Sequence, residues 1–403
     1  MNFSEFFAGV GLIHEALSEN GWKCIWANDI CNDKRETYIA NFGETEFYLG
    51  DVWDCIKTPQ LIPDSCFLYT ASFPCTDMSL AGARKGLAGE HSGTLNAVLG
   101  VVEQKRKNGN HPYLIMLENV QGFLTSHNGA DVAFTVKALN ELGYVVDLIE
   151  LDAVHFTPQS RPRVFLFAAR MEIADKIMSI KNANNILDSW WNIFDSNPQL
   201  RSERIKNIVK TNSNLAWGAF NLPKPPKRTM TLHDVIETNL NNNPDAWWSE
   251  DRKHHLFSQM SPLHKELLKN MTIKSEYSYG TVYRRTRQGI SFAELRTDGV
   301  AGCLRTPRGG SSKQIVICAG FGKWSVRLLT PREYARLQGV GEHFVLPENA
   351  NKGYFAMGDA VCVPAIKFIS NHILTPAYQQ IFQSVTPSHY STSSLKQYAN
   401  ESF

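Results

Sequence analysis

Apolar residues in the first 170 positions occur as short runs, separated by stretches in which apolar and polar residues repeat at helical spacing. Such runs predict buried strands, and the stretches between them predict crossover helices. The predicted strands are residues 3–7, 23–27, 66–72, 113–117, 145–151 and 164–169. Alternation of this kind is typical of an α/β fold with a doubly wound, mostly parallel, Rossmann-like sheet.

A helix is predicted after Ser92, a favoured N-cap residue, because Leu95, Val98 and Val102 fall at helical spacing. Two further helices are predicted over residues 131–142 and 364–374. Between about 180 and 325 the periodicity weakens while Asn, Trp, Pro and basic residues increase, which predicts a smaller, loop-rich lobe. A chain of 403 residues also exceeds what one core usually supports. We therefore expect three parts: a large domain over 1–178, a second domain over 179–326, and a segment over 327–403 that returns to the first.

Composition excludes several classes of protein. No apolar run approaches the ~18 residues of a membrane span, and no basic flank marks a signal peptide. The eight cysteines form no C-x-x-C pair and no zinc spacing, which favours a reduced, cytoplasmic protein without a metal site over a disulfide framework.

The formal charge of +2 hides an uneven distribution. Basic residues outnumber acidic ones between 275 and 325, where the cations are Arg284, Arg285, Arg287, Arg296, Arg305, Arg308, Lys313 and Lys323. This segment could face a polyanion such as nucleic acid, or it could be an ordinary solvated basic surface.

The first strand runs into a glycine turn, and Asp29 ends the next strand 20 positions after Gly9. A glycine turn lets a ligand approach the backbone, and an acid at this distance can accept hydrogen bonds from ribose hydroxyls. The pattern indicates an adenosine cofactor, with Asp51 as an acceptor for the adenine amino group, although a bare G-x-G can also be a simple turn. His14 stands where a dinucleotide site would have its third glycine, which disfavours NAD.

The predicted strand 66–72 leads directly into Pro74 and Cys75. A free cysteine is by default a small buried hydrophobe, but Cys75 follows a proline in a polar loop at the edge where such sheets keep their chemistry. The other seven cysteines are expected in the core. The loop 80–89 contains three glycines with Arg84 and Lys85, and it fits a closing lid over phosphates or a merely flexible surface loop.

Two more strand ends carry charged groups that could face the same cleft. Glu118 follows the predicted strand 113–117, and Arg161 and Arg163 lie two apart on an extended segment, hence on one face. Pro162 is expected to keep that segment out of regular pairing. The arginines could act on a ligand or simply hold a structural carboxylate.

Taken in order, these motifs resemble the cytosine-C5 DNA methyltransferases of restriction-modification systems. The resemblance covers nearly the whole chain outside the variable lobe. It rests on Phe7-Ala8-Gly9-Val10-Gly11, Pro74-Cys75 with Ser79, Glu118-Asn119-Val120, Gln159-Ser160-Arg161-Pro162-Arg163, Arg327-Leu328-Leu329-Thr330-Pro331-Arg332-Glu333 with Arg336-Leu337-Gln338-Gly339, and Gly358-Asp359-Ala360-Val361 with Pro364.

The resemblance implies the fold of class I S-adenosylmethionine-dependent methyltransferases, with a catalytic domain over 1–178 and a target-recognition domain over 179–326. It implies that Cys75 attacks C6 of a cytosine flipped out of duplex DNA, because C5 must be activated before it can accept a methyl group. Glu118 would hydrogen-bond N3, and Arg163 would hold O2 with Arg161 beside it.

The resemblance also implies a cofactor site and a DNA surface. The cofactor residues would be Phe7, Ala8, Gly9, Gly11, Leu12, Asp29, Ile30, Asp51, Val52, Pro74, Leu95, Asp359 and Val361. The DNA contacts would be Ser79, Gly82, Arg84, Lys85, Arg305, Arg308, Ser311, Lys313 and Gln314. Two positions depart from the family pattern: Asp359 stands where the family usually has asparagine, and Ile30 replaces a side chain that is often aromatic.

The expected partners are S-adenosylmethionine and double-stranded DNA, with a cognate restriction endonuclease that forms no stable complex; the enzyme is expected to be a monomer without membrane contact. An RNA methyltransferase of the same chemistry is the nearest alternative, but the long segment between Arg163 and Thr330 favours DNA. A catalytically silent, cofactor-sensing binding protein is disfavoured by Cys75, Glu118 and Arg163 together. An NAD-dependent dehydrogenase would explain only the first 30 residues.

Overall fold

A computed structural model describes residues 1–74, 92–180, 189–306 and 313–382. Its largest element is a seven-stranded sheet of order β3-β2-β1-β4-β5-β7-β6. The strands are β1 (Asn2–Phe6), β2 (Lys23–Asp29), β3 (Phe47–Leu49), β4 (Leu68–Ser72), β5 (Leu114–Val120), β6 (Tyr144–Asp152) and β7 (Pro162–Arg170). The expected α/β fold is confirmed, with each predicted strand found within a few residues of its expected bounds.

Strand β7 runs antiparallel to both of its neighbours, β5 and β6, whereas the other pairs in the sheet are parallel. The expectation that Pro162 breaks regular pairing is wrong, because this residue begins β7 and lies opposite Asp152. A proline is tolerated at the first residue of a strand, where its missing N–H costs the ladder little.

Helices cover both faces of this sheet. They are α1 (Leu12–Ser18), α2 (Asn32–Phe42), α3 (Asp54–Lys57), α4 (Leu95–Lys107), α5 (Gly122–Thr125), α6 (Ala130–Glu141), α7 (Met171–Ile177), α13 (Pro331–Leu337), α14 (Ala350–Asp359), α15 (Val363–Ile369) and α16 (Thr375–Phe382). Ser92 begins a short 3₁₀ turn rather than capping α4, which starts at Leu95. The helix expected over 364–374 is α15 followed by a π turn.

Two hydrophobic clusters lie on the two faces of the large sheet. One collects the side chains of α1, α13 and α15, and the other those of α4 and α6. Trp190, Phe194 and Trp217 belong to the second cluster although they lie beyond residue 178. They come from the segment that contains α8 (Ser189–Ser196), α9 (Glu203–Thr211) and the strand pair β8 (Ser179–Ile180) with β9 (Gly218–Ala219).

A third hydrophobic cluster forms a separate small lobe. It contains an antiparallel sheet of order β11-β10-β12-β13, with strands β10 (Ser278–Arg287), β11 (Ile290–Arg296), β12 (Ile315–Gly320) and β13 (Lys323–Leu328). The lobe also includes α11 (Glu250–Ser258) and α12 (Pro262–Thr272), and it follows the single-turn helix α10 (Leu232–Val235). Weak periodicity led us to expect loops here, because few residues of β10 and β11 are buried.

Two negative findings apply to the described ranges only. None of the helices there is long and apolar enough to cross a membrane. Among the same residues, no group of three or more His, Cys, Asp or Glu side chains could hold a metal ion.

Candidate active site

The turn after β1 has the backbone that a close-bound ligand requires. Phe7, Gly9 and Gly11 have positive φ angles of 55°, 58° and 85°, a region that favours glycine and is unusual for phenylalanine. Gly11 also precedes α1, and a Cβ atom there would lie 2.4 Å from Cε2 of Phe42. Gly11 is buried and its packing requires glycine, whereas Gly9 is half-buried and a Cβ atom built on it would meet nothing closer than 4.0 Å.

Asp29 fixes this turn from the end of β2. Its Oδ2 accepts a hydrogen bond from the Gly9 N–H at 2.9 Å, and its Oδ1 accepts one from the Cys31 N–H at 2.9 Å. Each carboxylate oxygen can accept a second bond, so the predicted bonds to ribose hydroxyls remain compatible. Ile30 is 71% exposed beside it, and Asp51 is exposed just after β3.

The remaining predicted cofactor residues differ in how open they are. Four of them are buried, namely Ala8, Leu12, Val52 and Val361. Pro74 is half-buried. Leu95 has no exposed surface, since it packs inside the cluster between β4 and α4. The predicted cofactor contact of Leu95 stays a prediction.

A carboxylate and a guanidinium meet where β5 and β7 lie side by side. Glu118 Oε1 lies 3.0 Å from Arg163 Nε, with both side chains mostly buried. In the pairing of β4 with β5, Glu118 lies opposite Ser72, the last residue of β4. The pair therefore lies at the strand edge that leads into Pro74 and Cys75.

Asn119 ties this pair to the start of the cysteine loop. Its Nδ2 donates to the carbonyl oxygen of Phe73 at 3.1 Å, and its Oδ1 accepts from the Val120 N–H. The backbone before Pro74 is thus held against the end of β5. Cys75 itself lies outside the described residues, as do Ser79, Gly82, Arg84, Lys85, Arg308 and Ser311.

Arg161 is buried and joins three chain segments. Its Nη1 donates to the Leu304 carbonyl at 2.8 Å, and its Nη2 donates to the carbonyls of Gly358 and Ala360 at 3.1 and 2.6 Å. We predicted Arg161 beside the base as a catalytic residue. These bonds instead give it a positioning role, because backbone carbonyls occupy both of its terminal nitrogens.

Cys303 is a site residue that sequence analysis missed. Its Sγ lies 3.4 Å from Arg161 Nη1 and within hydrogen-bonding reach of the Arg163 side chain. Burial would raise the pKa of this thiol, but Arg161, Arg163 and Arg305 outweigh burial, and the net pKa lies below its ordinary value. Cys303 is half-buried, so it departs from the expectation that every cysteine except Cys75 is core.

Three of the predicted DNA-contact residues lie in the described part of the chain, and they differ in how buried they are. Arg305 is exposed and stacks over the Tyr283 ring, and Lys313 donates to Asn351 Oδ1 at 2.7 Å. Gln314 is 1% exposed, and its Nε2 donates to the Cys303 carbonyl. Its burial corrects the predicted DNA contact, since Gln314 supports the backbone of Cys303 from inside.

Comparison with known proteins identifies the family of the chain. The family model described as C-5 cytosine-specific DNA methylase matches residues 1–375. The chain belongs to this family. The predicted identity and enzyme class are therefore confirmed, and the methylase carries the class I methyltransferase fold.

Curated relatives match the methylase over nearly its whole length. It is 28% identical over 378 residues to the type II methyltransferase M.Bsp6I of Bacillus sp. (strain RFL6), covering 93% of this chain and 98% of that one. It is 27% identical over 386 residues to the type II methyltransferase M.HpaII of Haemophilus parainfluenzae, covering 92% and 88%.

Solved structures support the fold of the methylase. The S. pombe Dnmt2 methyltransferase superposes with a TM-score of 0.55 at 16% identity, covering 93% of this chain and 99% of that one. The Entamoeba histolytica methyltransferase EhMeth gives a TM-score of 0.57 at 15% identity, covering 96% and 99%.

Proposed function

We propose that the methylase transfers a methyl group from S-adenosylmethionine to C5 of a cytosine flipped out of duplex DNA, through a covalent bond between Cys75 and C6. The observation that carries the proposal is the Glu118–Arg163 pair at 3.0 Å. It lies at the edge of the sheet where Asn119 holds the backbone that leads into Cys75.

Each residue of this site has a task that its chemistry suits. A thiolate at Cys75 would add to C6, and the added electron density would move toward N3 of the base. The carboxyl group of Glu118 would hydrogen-bond N3 and stabilise that density. Arg163 would donate to O2, and its contact with Glu118 would hold the two side chains in position for one edge of the base.

The glycine turn fits the proposed cofactor. When bound, S-adenosylmethionine supplies an electrophilic methyl group for C5. Loss of the C5 proton to a base or water and departure of the Cys75 thiolate from C6 would then restore the ring. Asp29 would accept from the ribose, while the exposed Ile30 side chain would cover the adenine and Asp51 would accept from its amino group. The missing side chain at the half-buried Gly9 would let a ligand approach the backbone closely.

We further propose that the small lobe chooses the DNA target, and that its own core begins near Trp248 rather than at residue 179. The segment with Trp190, Phe194 and Trp217 packs on the large sheet, whereas the small-lobe cluster collects residues 248–328. Exposed Arg285, Arg287 and Arg305 give that lobe a cationic surface suited to phosphates.

The biological setting follows from the relatives. Both M.Bsp6I and M.HpaII are type II methyltransferases. We infer that this methylase likewise protects host DNA in a restriction-modification or other phage-defence system, acting in the cytoplasm as a monomer.

Mechanism-based trapping tests the proposal. A duplex that contains 5-fluorocytosine in the recognition site, found by bisulfite sequencing of DNA from expressing cells, should form a stable conjugate with the wild-type enzyme when donor is present. Cys75→Ser should form none, while Cys318→Ala, at a buried cysteine of the small-lobe sheet, should still conjugate. A conjugate with Cys75→Ser would refute the assigned nucleophile.

A further inference from the structure

An ion pair links two helices beside the glycine turn. Lys34 Nζ, on α2, lies 3.1 Å from Asp359 Oδ2, at the last residue of α14. The side chains are 25% and 48% exposed, so the pair lies at the protein surface beside the turn. Asp359 is the position that departs from the family's usual asparagine.

The lysine stem runs past the turn that the cofactor is proposed to occupy. A Cβ atom built on Gly9 would lie 4.0 Å from Cδ of Lys34. Burial would lower the pKa of Lys34, but Asp359 and Asp29 outweigh burial and hold it above its ordinary value. Lys34 is therefore a fixed cation next to the turn and next to the acid that shapes it.

The two charges complement one specific chemical group. An α-amino acid carries an ammonium and a carboxylate on the same carbon, so its two charges are as close together as those of the ion pair. When such a zwitterion binds, its carboxylate can pair with Lys34 and its ammonium can pair with Asp359. The ion pair between Lys34 and Asp359 is then replaced by two new ion pairs with the ligand.

We propose that Lys34 and Asp359 receive the zwitterionic amino-acid end of the methyl donor, with Lys34 binding its carboxylate and Asp359 its ammonium. The proposal rests on the proposed cofactor and adds a specific recognition of its methionine part. Asp359 and Lys34 then form one functional unit, in which an aspartate replaces the usual amide because a lysine stands opposite to it.

A purely structural role is the alternative, because the pair also joins α2 to α14. The chain contains a matched control for that role. Lys352, also on α14, lies 2.8 Å from Asp33 and 3.5 Å from Glu36 on α2. This contact joins the same two helices without approaching the glycine turn.

Equilibrium binding, measured by calorimetry, separates these roles. The probes are S-adenosylhomocysteine, its aminopropyl analogue that lacks the carboxylate, and its carboxypropyl analogue that lacks the ammonium. The wild type should bind each analogue about tenfold more weakly than the parent, because each lacks one charged hydrogen bond.

The variants should then lose discrimination selectively. Lys34→Met should bind the parent and the aminopropyl analogue alike, while it still discriminates against the carboxypropyl analogue. Asp359→Asn should show the reverse pattern. Lys352→Met should keep both wild-type ratios.

Unchanged ratios in Lys34→Met and Asp359→Asn would overturn the proposal, and an accompanying fall in Tm would assign the pair to structure alone. A wild type that binds none of the three probes would contradict the proposed cofactor instead. The two failures are thus distinguishable.

Discussion

At the scale of single residues, the site depends on side chains whose surroundings change their chemistry. Cys303 lies against Arg161 and close to Arg163, which in turn contacts Glu118. The thiol therefore limits where the guanidinium of Arg163 can lie. Small displacements of such groups have large effects on turnover.

Replacing Cys303 by valine should lower kcat by about ten- to hundredfold, because Arg163 loses a neighbour that fixes its direction. Binding of S-adenosylhomocysteine should change less than kcat, because the charged groups beside Cys303 are Arg161, Arg163 and Arg305. Cys318→Val, at the buried cysteine of β12, is the control. Steady-state methylation kinetics measure the effect, and an unchanged kcat would show that Cys303 does not position Arg163.

Glu5 is a buried acid in β1, and its Oε2 has no hydrogen-bond partner within the described ranges. Burial raises its pKa well above the ordinary value, a hydrogen bond from the His14 backbone opposes this, and Asp29 adds to it. Folding thus favours the protonated form. The contribution of protonated Glu5 to the free energy of unfolding is therefore fully present below about pH 4, and it is lost as the pH rises toward the folded-state pKa.

Glu5→Gln removes this dependence because the amide does not ionise. The variant should gain Tm over the wild type, and the gain should grow from about pH 5 to pH 8. Thermal melts across that range measure it, with Glu103→Gln on the exposed face of α4 as the control. A gain independent of pH would show that Glu5 does not titrate on folding.

At the scale of elements, the start of α13 is fixed by a buried ion pair. Arg327 Nη1 and Nη2 donate to the two oxygens of Glu333 at 2.7 and 2.6 Å, with both side chains almost fully buried. Glu333 also accepts from the Thr330 N–H, which completes a capping box. One carboxylate therefore connects β13, the cap and the helix.

Glu333→Gln should reduce the free energy of unfolding by about 3–5 kcal/mol, because it leaves the Arg327 charge buried without a counter-ion. Asp54→Asn, which breaks the exposed Lys57 pair, should cost no more than about 1 kcal/mol. Urea denaturation of the two variants compares these costs. Equal losses would contradict the importance of burial.

The strands of the large sheet could be predicted because each is a short apolar run between turn residues. β3 was missed because it has only three residues, of which none is buried. The β10–β11 hairpin was missed because β10 ends in three consecutive exposed polar residues, and because only two residues of β11 are buried. Local pattern thus identifies buried strands better than half-exposed ones.

Glu118 and Arg163 could be predicted as site residues because both belong to motifs at strand ends. Cys303 and Lys34 could not, because their partners Arg161 and Asp359 lie more than one hundred positions away in sequence. No spacing rule brings such residues together. Only the fold determines these contacts.

At the scale of the whole molecule, backbone bonds fasten the small lobe to the sheet. The Ser160 N–H donates to the Ala301 carbonyl, the Ala301 N–H donates to the Pro158 carbonyl, and Gln159 Oε1 accepts from the Leu304 N–H. The segment 301–304, which lies outside the named strands, is thereby fixed against the connection that leads into β7. DNA bound by Arg305 would therefore lie close to the site proposed for the flipped cytosine.

Arg305→Ala combined with Arg308→Ala should weaken DNA binding, and it should reduce the slope of log K against log salt by about 0.9 for each phosphate that the protein no longer neutralises. Fluorescence anisotropy at several salt concentrations measures the slope. Lys107→Ala, in an exposed pair on α4, should leave it unchanged. An unaltered slope in the double variant would exclude this segment from the interface.

The reversed direction of β7 has a consequence for how this architecture can diversify. Parallel strands offer ligands only the residues at which they finish, whereas β7 offers the residues at which it starts, so Arg163 reaches the pocket from an incoming segment. The connection that precedes β7 therefore tolerates little change in length during evolution, because it carries Gln159, Ser160 and Arg161, whose contacts with residues 301–304 and 358–360 fix the segment that leads into Arg163.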